Sequence, residues 1–210
     1  MQPTEHDYEY ALQCLKQGGI VAYPTETFYG LAVDPENEQA ITDLYALKKR
    51  EEQKAISLII PDVTHLLSLV SLVPNGYKGL MNSFWPGPLT LIFSARKHIP
   101  SILTGGTNTL ALRVSSHPVA MKLAESWGGA LTTTSANISG EEALATAEDV
   151  HTVFGDRVSC VLDGGPTPGG QGSTIVHCTD DTMECRIIRE GVISHEQLSQ
   201  HLPSHYTVCK

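Results

Sequence analysis

A short basic segment stands out in an acidic chain. The run at residues 48–50 and Lys54 place four cations within seven positions, although the 210 residues contain 14 Lys and Arg against 23 Asp and Glu, a formal net charge of −9. Clustered cations in such a chain indicate an anionic ligand. The run ends a predicted helix over 38–50, where the helix dipole favours cations, and precedes a predicted strand over 55–60. The segment is therefore a candidate nucleotide site.

Two polar segments follow predicted strands and are candidate binding loops. Pro-Thr-Glu-Thr at 24–27 comes after a strand over 20–23, and six hydroxyl or amide side chains lie within residues 132–139. Open α/β sheets bind ligands at strand ends, and buried polar groups need hydrogen-bond partners. The alternative interpretations are a capped turn for the first segment and a polar surface loop for the second.

A lone arginine and a glycine-rich loop are two further candidates. Arg113 lies in an apolar strand over 110–114 and needs an anionic partner, either a structural carboxylate or a ligand. Residues 163–172 contain five glycines and two prolines. Backbone N–H groups in such a loop can form an anion-binding nest, and the same composition also occurs in lids and in plain connectors.

Composition and motifs disfavour several other classes of protein. The chain has no run of about 18 apolar residues and no basic and apolar leader, so we expect neither a membrane span nor a signal peptide. The phosphate-binding motifs G-x-x-x-x-G-K-S/T and G-x-G-x-x-G are absent. Pro203 interrupts the C-terminal histidines, and no protein metal site is predicted. The five cysteines are scattered and odd in number, which is typical of reduced thiols in a cytoplasmic protein.

Strands and helices alternate along most of the chain, which predicts an α/β fold. We expect a single domain over 1–210, with a core over about 5–195 and a C-terminal tail over 196–210. The predicted helices cover 5–17, 38–50, 63–70, 77–84, 117–127, 146–154 and a short segment from 194. The predicted strands cover 20–23, 55–60, 89–94, 110–114, 131–134, 159–162, 174–178 and 185–189.

Taken in order, these segments resemble the YrdC family of threonylcarbamoyl-AMP synthases. The resemblance covers nearly the whole chain and is carried by several motifs, none of them long. They are GIVAYPTETFYGL at 19–31, LKKR at 47–50, WPGPLT at 85–90, LALRV at 110–114, TSANISG at 134–140, DGG at 163–165 with STI at 173–175, and IREGVIS at 188–194.

The resemblance implies a YrdC-like twisted mixed sheet flanked by helices, with a central positively lined cavity. It also implies a reaction in which L-threonine, bicarbonate or CO2, and ATP give threonylcarbamoyl-AMP and pyrophosphate. Mg²⁺ is the expected cofactor, held mostly by the ATP phosphates. A separate cytoplasmic transferase is then expected to move the threonylcarbamoyl group onto tRNA, with at most weak tRNA binding by this chain.

The resemblance also assigns site residues, position by position. It places Lys48 and Arg50 against the phosphates as catalytic cations. The residues implied for threonine are Thr27, Arg113, Ser135 and Ser173, and those implied for ATP are Arg50, Lys54, Thr109, Asn137 and Arg189.

Two other functions remain as alternatives. One is an RNA-binding module, against which the net charge of −9 argues, because non-specific binding to nucleic acid usually needs a broad basic face. The other is a diverged carbamoyl-transfer paralogue, like the YrdC-like part of the hydrogenase-maturation protein HypF. Threonine-dependent use of ATP separates the synthase from both.

Overall fold

The computed structural model describes residues 2–209, in which ten strands form one mixed sheet. Their order across the sheet is β10-β9-β8-β4-β5-β3-β6-β2-β1-β7. The strands are β1 (Val21–Pro24), β2 (Tyr29–Ala32), β3 (Ser57–Ile59), β4 (Leu89–Ser94), β5 (Thr109–Arg113), β6 (Leu131–Ser135), β7 (Cys160–Val161), β8 (Thr174–Thr179), β9 (Glu184–Arg189) and β10 (Thr207–Cys209).

Eight α-helices flank this sheet within the described residues. Two single 3₁₀ turns, Val63–His65 and Gly155–Arg157, accompany them. The helices are α1 (Glu5–Lys16), α2 (Glu38–Lys48), α3 (Leu66–Leu69), α4 (Tyr77–Phe84), α5 (Ser101–Thr104), α6 (Pro118–Trp127), α7 (Ala147–Phe154) and α8 (His195–Gln200).

The sheet separates two apolar cores, because successive side chains of a strand point to opposite faces. In β3, Leu58 packs in the larger core with Leu91 and Leu112, whereas Ile59 packs in a smaller core beneath α1 and α6. Both Leu58 and Ile59 are buried, which explains the near-continuous apolar run around 55–60. The predicted α/β class is confirmed.

The helix predicted over 38–50 ends two residues early, at Lys48. Lys49 adopts the left-handed conformation, with φ 51° and ψ 41°. Its N–H bonds to the carbonyl oxygen of Ala46, and the Arg50 N–H bonds to that of Tyr45. These two bonds close the helix with a left-handed turn. As a result, Arg50 leaves the helix in a different direction from Lys48.

The C-terminal segment, expected to be a tail, is packed onto the body of the fold. β10 pairs in parallel with β9, and the hydroxyl of Tyr206 donates to Asp180. Tyr206 also lies over Gly76, where an added Cβ would come within 2.7 Å of its ring. Residues 196–209 are therefore part of the same folded unit.

The prediction of reduced thiols is wrong for two of the five cysteines. Cys178 and Cys185 form a disulfide between β8 and β9, with their Cα atoms 4.0 Å apart. The antiparallel register places them directly opposite each other, although they are seven positions apart in the chain. Such a cross-strand pair carries no C-x-x-C signature, and the spacing alone did not reveal it. Cys14, Cys160 and Cys209 are free thiols.

Within residues 2–209, no helix is both long and apolar enough to cross a membrane.

Candidate active site

A cavity of about 390 Å³ lies on one face of the central strands. The alternation of β5 explains why an arginine occurs in an apolar strand: Leu110 and Leu112 pack in the core, while Ala111 and Arg113 face the cavity. Three arginines line the cavity, and its described lining residues include no carboxylate. The cavity is therefore suited to an anionic ligand.

The turn at 25–28 between β1 and β2 forms one wall. The Thr25 hydroxyl donates to the Phe28 carbonyl oxygen at 2.7 Å and lies 3.1 Å from the Thr27 hydroxyl. Both threonines are buried and line the cavity. The Gly169 N–H donates to the Thr27 carbonyl oxygen at 2.8 Å, so the glycine-rich loop packs against this turn. The turn thus presents hydroxyl groups on a fixed backbone.

Arg113 is held from behind by an acidic side chain. Its Nη1 lies 3.2 Å from Oε1 of Glu26, and their side chains are only 6% and 13% exposed. The hydroxyl of Ser115 donates to the other carboxylate oxygen of Glu26. Glu26 is not among the cavity-lining residues, whereas Arg113 is. The guanidinium therefore lies between its carboxylate partner and the cavity.

Arg189 is anchored to the start of β8. Its Nη2 donates to the carbonyl oxygen of Ser173 at 2.7 Å and to its hydroxyl at 2.9 Å. The same hydroxyl lies 2.9 Å from that of Thr90. Burial, followed by the positive charges of Arg113 and Arg50, lowers the pKa of Arg189. An anion bound among these three cations would relieve their mutual repulsion.

Arg50 reaches the cavity from the loop after α2. Its Nε donates to the carbonyl oxygen of Lys54 at 3.1 Å, and its Nη2 to that of Ala55 at 2.8 Å. Lys54 itself points to solvent, with its side chain 55% exposed and paired with Glu51 at 3.2 Å. The loop thus directs Arg50 inward and leaves Lys54 on the surface.

Lys48 is buried and does not line the cavity. Its ammonium donates to the carbonyl oxygen of Ser135, and to the carbonyl and side-chain oxygens of Asn137 at 2.8 and 3.0 Å. Burial, reinforced by the charge of Arg50, lowers the pKa of Lys48 to about 7. In this arrangement Lys48 holds the loop after β6.

Residues 13–191 match the family model for Sua5, YciO and YrdC proteins, whose description is telomere recombination. The chain belongs to this family. It is 42% identical over 158 residues to the threonylcarbamoyl-AMP synthase of Idiomarina loihiensis, which covers 74% of this chain and 84% of that protein. The family resemblance seen in the motifs is confirmed.

Solved structures support the same fold for this Sua5/YciO/YrdC chain. P. abyssi Sua5 complexed with L-threonine superposes with a TM-score of 0.91 at 30% identity, covering 98% of this chain. This chain spans only 60% of that Sua5 chain. E. coli YciO superposes with a TM-score of 0.82 at 25% identity, covering 91% of this chain and 94% of YciO.

The fold of this Sua5/YciO/YrdC chain brings together six of the ten residues that the resemblance assigned. Of the other four, the buried Lys48 donates to the half-buried Asn137, neither of them lines the cavity, and Lys54 is on the surface. Thr109 lies at the far end of β5, where its hydroxyl is 2.8 Å from that of Thr107. The six residues that line the cavity are Thr27, Arg50, Arg113, Ser135, Ser173 and Arg189.

Several lining residues are not among the assigned site residues, although Thr133 lies in the candidate segment 132–139. Thr90 and Ile92 of β4 lie on the same face of the sheet as Arg113, as do Ser57 of β3 and Thr133 of β6. A signal for Thr90 is present in the chain, because it is a polar residue among the apolar residues at 89–93 and is the last residue of the WPGPLT motif. The order in which the strands pair decides which of these side chains face the same cavity, and that order is not evident from the sequence.

Proposed function

We propose that this chain is a threonylcarbamoyl-AMP synthase, which forms threonylcarbamoyl-AMP and pyrophosphate from L-threonine, bicarbonate or CO2, and ATP. The observation that carries the proposal is the convergence of Arg50, Arg113 and Arg189 on one cavity whose described lining contains no carboxylate. The relatives named threonylcarbamoyl-AMP synthase and the L-threonine complex of a Sua5 protein support the identity of the substrates.

In this proposal Arg113 binds the carboxylate of threonine. A guanidinium offers paired donors that match a carboxylate, and such charge-assisted bonds are among the strongest that a cavity wall can add. The hydroxyls of Thr27, Ser135 and Ser173 lie in the same cavity and supply neutral hydrogen bonds to the amino acid. Threonine is thereby held by its charge at one end and by hydroxyl groups around it.

Arg50 and Arg189 are assigned to the triphosphate. Both are held by backbone carbonyl groups, and within residues 2–209 neither forms an ion pair with a carboxylate. The described part of the chain has no group of three His, Cys, Asp or Glu residues that could hold a metal ion. We therefore treat Mg²⁺ as part of the MgATP substrate, held by phosphate oxygens and water rather than by a protein cage.

The chemistry needs no covalent bond to the protein. The threonine nitrogen loses a proton and forms a C–N bond to the carbon of CO2, and one C=O electron pair moves onto oxygen to give a carbamate. With bicarbonate as the carbon source, a C–O bond of bicarbonate breaks and water leaves as the C–N bond forms. A carbamate oxygen then bonds to the α-phosphorus, and the bond from that phosphorus to the bridging oxygen breaks, so that pyrophosphate leaves with the electron pair. Fixed cations stabilise the charge that moves among the phosphate oxygens, and binding both substrates in one cavity aligns them.

Threonine-dependent release of pyrophosphate tests this function directly. The purified chain is incubated with ATP, Mg²⁺, bicarbonate and one amino acid at a time, and pyrophosphate is measured. We expect release with L-threonine that requires bicarbonate, together with a product of the mass of threonylcarbamoyl-AMP. Release without an amino acid, or none with any amino acid, would refute the proposal.

The proposal extends to the fate of the product. Threonylcarbamoyl-AMP is a mixed anhydride, which requires a transferase to deliver the threonylcarbamoyl group to tRNA, and we place both steps in the cytoplasm. The three cavity arginines face inward, so we expect at most weak tRNA binding by this chain. Tight, salt-sensitive tRNA binding without threonine-dependent ATP turnover would favour an RNA-binding module.

A further inference from the structure

Arg113 differs from the other two cavity arginines in what holds it. Arg50 and Arg189 donate to backbone carbonyl oxygens, which strands and loops keep in place. Arg113 instead contacts the carboxylate of Glu26 at 3.2 Å, its only ion pair within residues 2–209. The position of this guanidinium therefore depends on one side chain.

That side chain is itself fixed by the surrounding fold. Glu26 sits in the turn that Thr25 closes through its bond to the Phe28 carbonyl oxygen. Its second oxygen accepts a hydrogen bond from Ser115, and the Ser115 hydroxyl accepts the backbone N–H of His117 at 3.2 Å. Glu26 thus connects the β1–β2 turn to the segment that leads into α6.

The pairing leaves part of the guanidinium available. Nε of Arg113 and Oε1 of Glu26 are buried and have no hydrogen-bond partner among the described residues. A buried donor without an acceptor destabilises the fold, because the group has lost its water and gained nothing in exchange. Glu26 therefore pairs with the charge of Arg113 without saturating its donors. Because Arg113 also lines the cavity, a carboxylate bound there accepts hydrogen bonds from guanidinium donors that face the cavity.

We propose that Glu26 is a positioning residue, which holds the Arg113 guanidinium for the carboxylate of the amino-acid substrate; the proposal rests on the proposed function. Glu26 does not line the cavity, so it acts through Arg113 and not on the substrate. Without Glu26, the Arg113 guanidinium keeps its positive charge, but no carboxylate fixes the direction of its N–H donors.

Glu26→Gln is the test variant, because the amide keeps the size of the side chain and an acceptor for Ser115 while removing the charge. If the amide oxygen stays with Ser115, the NH₂ group faces the Arg113 guanidinium, and two donors do not attract each other. If the amide turns round, only a neutral oxygen contacts Arg113, so the ion pair is lost in either orientation. We expect the threonine KM to rise about tenfold, with kcat at saturating threonine and the ATP KM within about twofold of wild type. The matched control is Glu5→Gln, at an 80% exposed carboxylate paired with Lys122.

A second measurement does not depend on turnover. Phenylglyoxal modifies accessible guanidinium groups, and mass spectrometry of peptides reports each arginine separately. In Glu26→Gln we expect phenylglyoxal to modify Arg113 at least about fivefold faster, because the Arg113 side chain leaves its buried position more readily. The modification rate of Arg189 should be unchanged, because Arg189 keeps its bonds to Ser173. A melting temperature close to wild type shows that the fold is intact.

The two proposals fail in different ways. A wild-type chain without threonine-dependent pyrophosphate release refutes the proposed function, and the modification rate of Arg113 then decides the role of Glu26. A Glu26→Gln variant with wild-type threonine KM, or with an unchanged modification rate at Arg113, overturns the positioning role. A lower kcat at saturating threonine and ATP, together with a lowered melting temperature, indicates a structural role for Glu26. That outcome also overturns the positioning role.

Discussion

The side-chain nitrogen of Lys48 lies 2.8 Å from the carbonyl oxygen of Asn137 and 3.0 Å from its side-chain oxygen. With the carbonyl oxygen of Ser135, these acceptors match the three donors of an ammonium group. In return, the N–H of Ser139 donates to the Lys48 carbonyl oxygen at 2.7 Å. The end of α2 and the loop after β6 are therefore joined by a reciprocal clamp. Lys48 contributes to the site by fixing Ser135, which lines the cavity.

The clamp makes folding stability depend on pH. Burial lowers the pKa of Lys48 from 10.5 to about 7, although the three acceptors favour the ammonium form. Between these values the unfolded chain holds a proton that the folded chain releases, so the contribution of Lys48 to stability rises with pH across this window and is least favourable below it. Urea unfolding measured from about pH 6.5 to 9.5 should show this slope in wild type and lose it in Lys48→Met.

Lys49→Met is the matched control, because Lys49 is exposed and adjacent in the chain. It should keep the wild-type dependence on pH. Equal slopes in wild type and Lys48→Met would show that Lys48 does not titrate in this window.

Arg50→Ala should lower threonine-dependent pyrophosphate release by about 100-fold or more, which corresponds to roughly 3 kcal/mol of lost electrostatic stabilisation. Arg50 is one of the two cavity arginines assigned to the phosphates and is fixed by the Lys54 and Ala55 carbonyl groups. Arg186→Ala removes a cation of β9 that is 60% exposed, and it should retain nearly full turnover. If Arg50→Ala turns over at a rate close to wild type, Arg50 does not have the catalytic role assigned to it.

Arg113→Lys should chiefly raise the threonine KM, by about tenfold or more, and change the ATP KM little. Lysine keeps a positive charge beside the buried Glu26 carboxylate, so the variant avoids an unpaired buried charge, but it cannot present paired donors to a second carboxylate. Initial rates are measured against threonine at saturating ATP, and then against ATP at saturating threonine. An unchanged threonine KM with a raised ATP KM would assign Arg113 to the nucleotide instead.

The fold class was predictable because the apolar runs of the central strands are long and regular. The run around 55–60 has neighbours on both faces, and the alternating run at 110–113 sends every second residue to the core. β2 is not predicted because its four residues begin just after Phe28, beside the polar 24–27 segment, whose composition is that of a loop. β10 is not predicted because its three residues, two of them half-buried, are too few to show a periodic apolar pattern. They pair with β9, which lies well before them in the chain.

The site was predictable in its residue types and less so in its geometry. Arg113 was identified because an arginine in an apolar strand needs a partner, and the structure supplies Glu26 behind it. Lys48 was assigned to the phosphates as a neighbour of Arg50. The left-handed turn at Lys49 directs these two side chains apart, and a single non-glycine residue with positive φ leaves no signal in the sequence.

The packing of the C-terminal segment gives a last prediction, on stability. A Cβ added at Gly79 in α4 would lie 2.1 Å from the carbonyl oxygen of His201, so an alanine there forces α4 away from the turn after α8. Although alanine usually stabilises a helix relative to glycine by about 1 kcal/mol, we expect Gly79→Ala to destabilise the fold by about 1–3 kcal/mol. The comparison is Gly129→Ala, whose nearest neighbour is a Trp127 carbon at 4.0 Å and which should stay close to wild type. Urea midpoints measure both variants, and a Gly79→Ala midpoint at or above wild type would show that residues 196–209 do not pack against α4 as described.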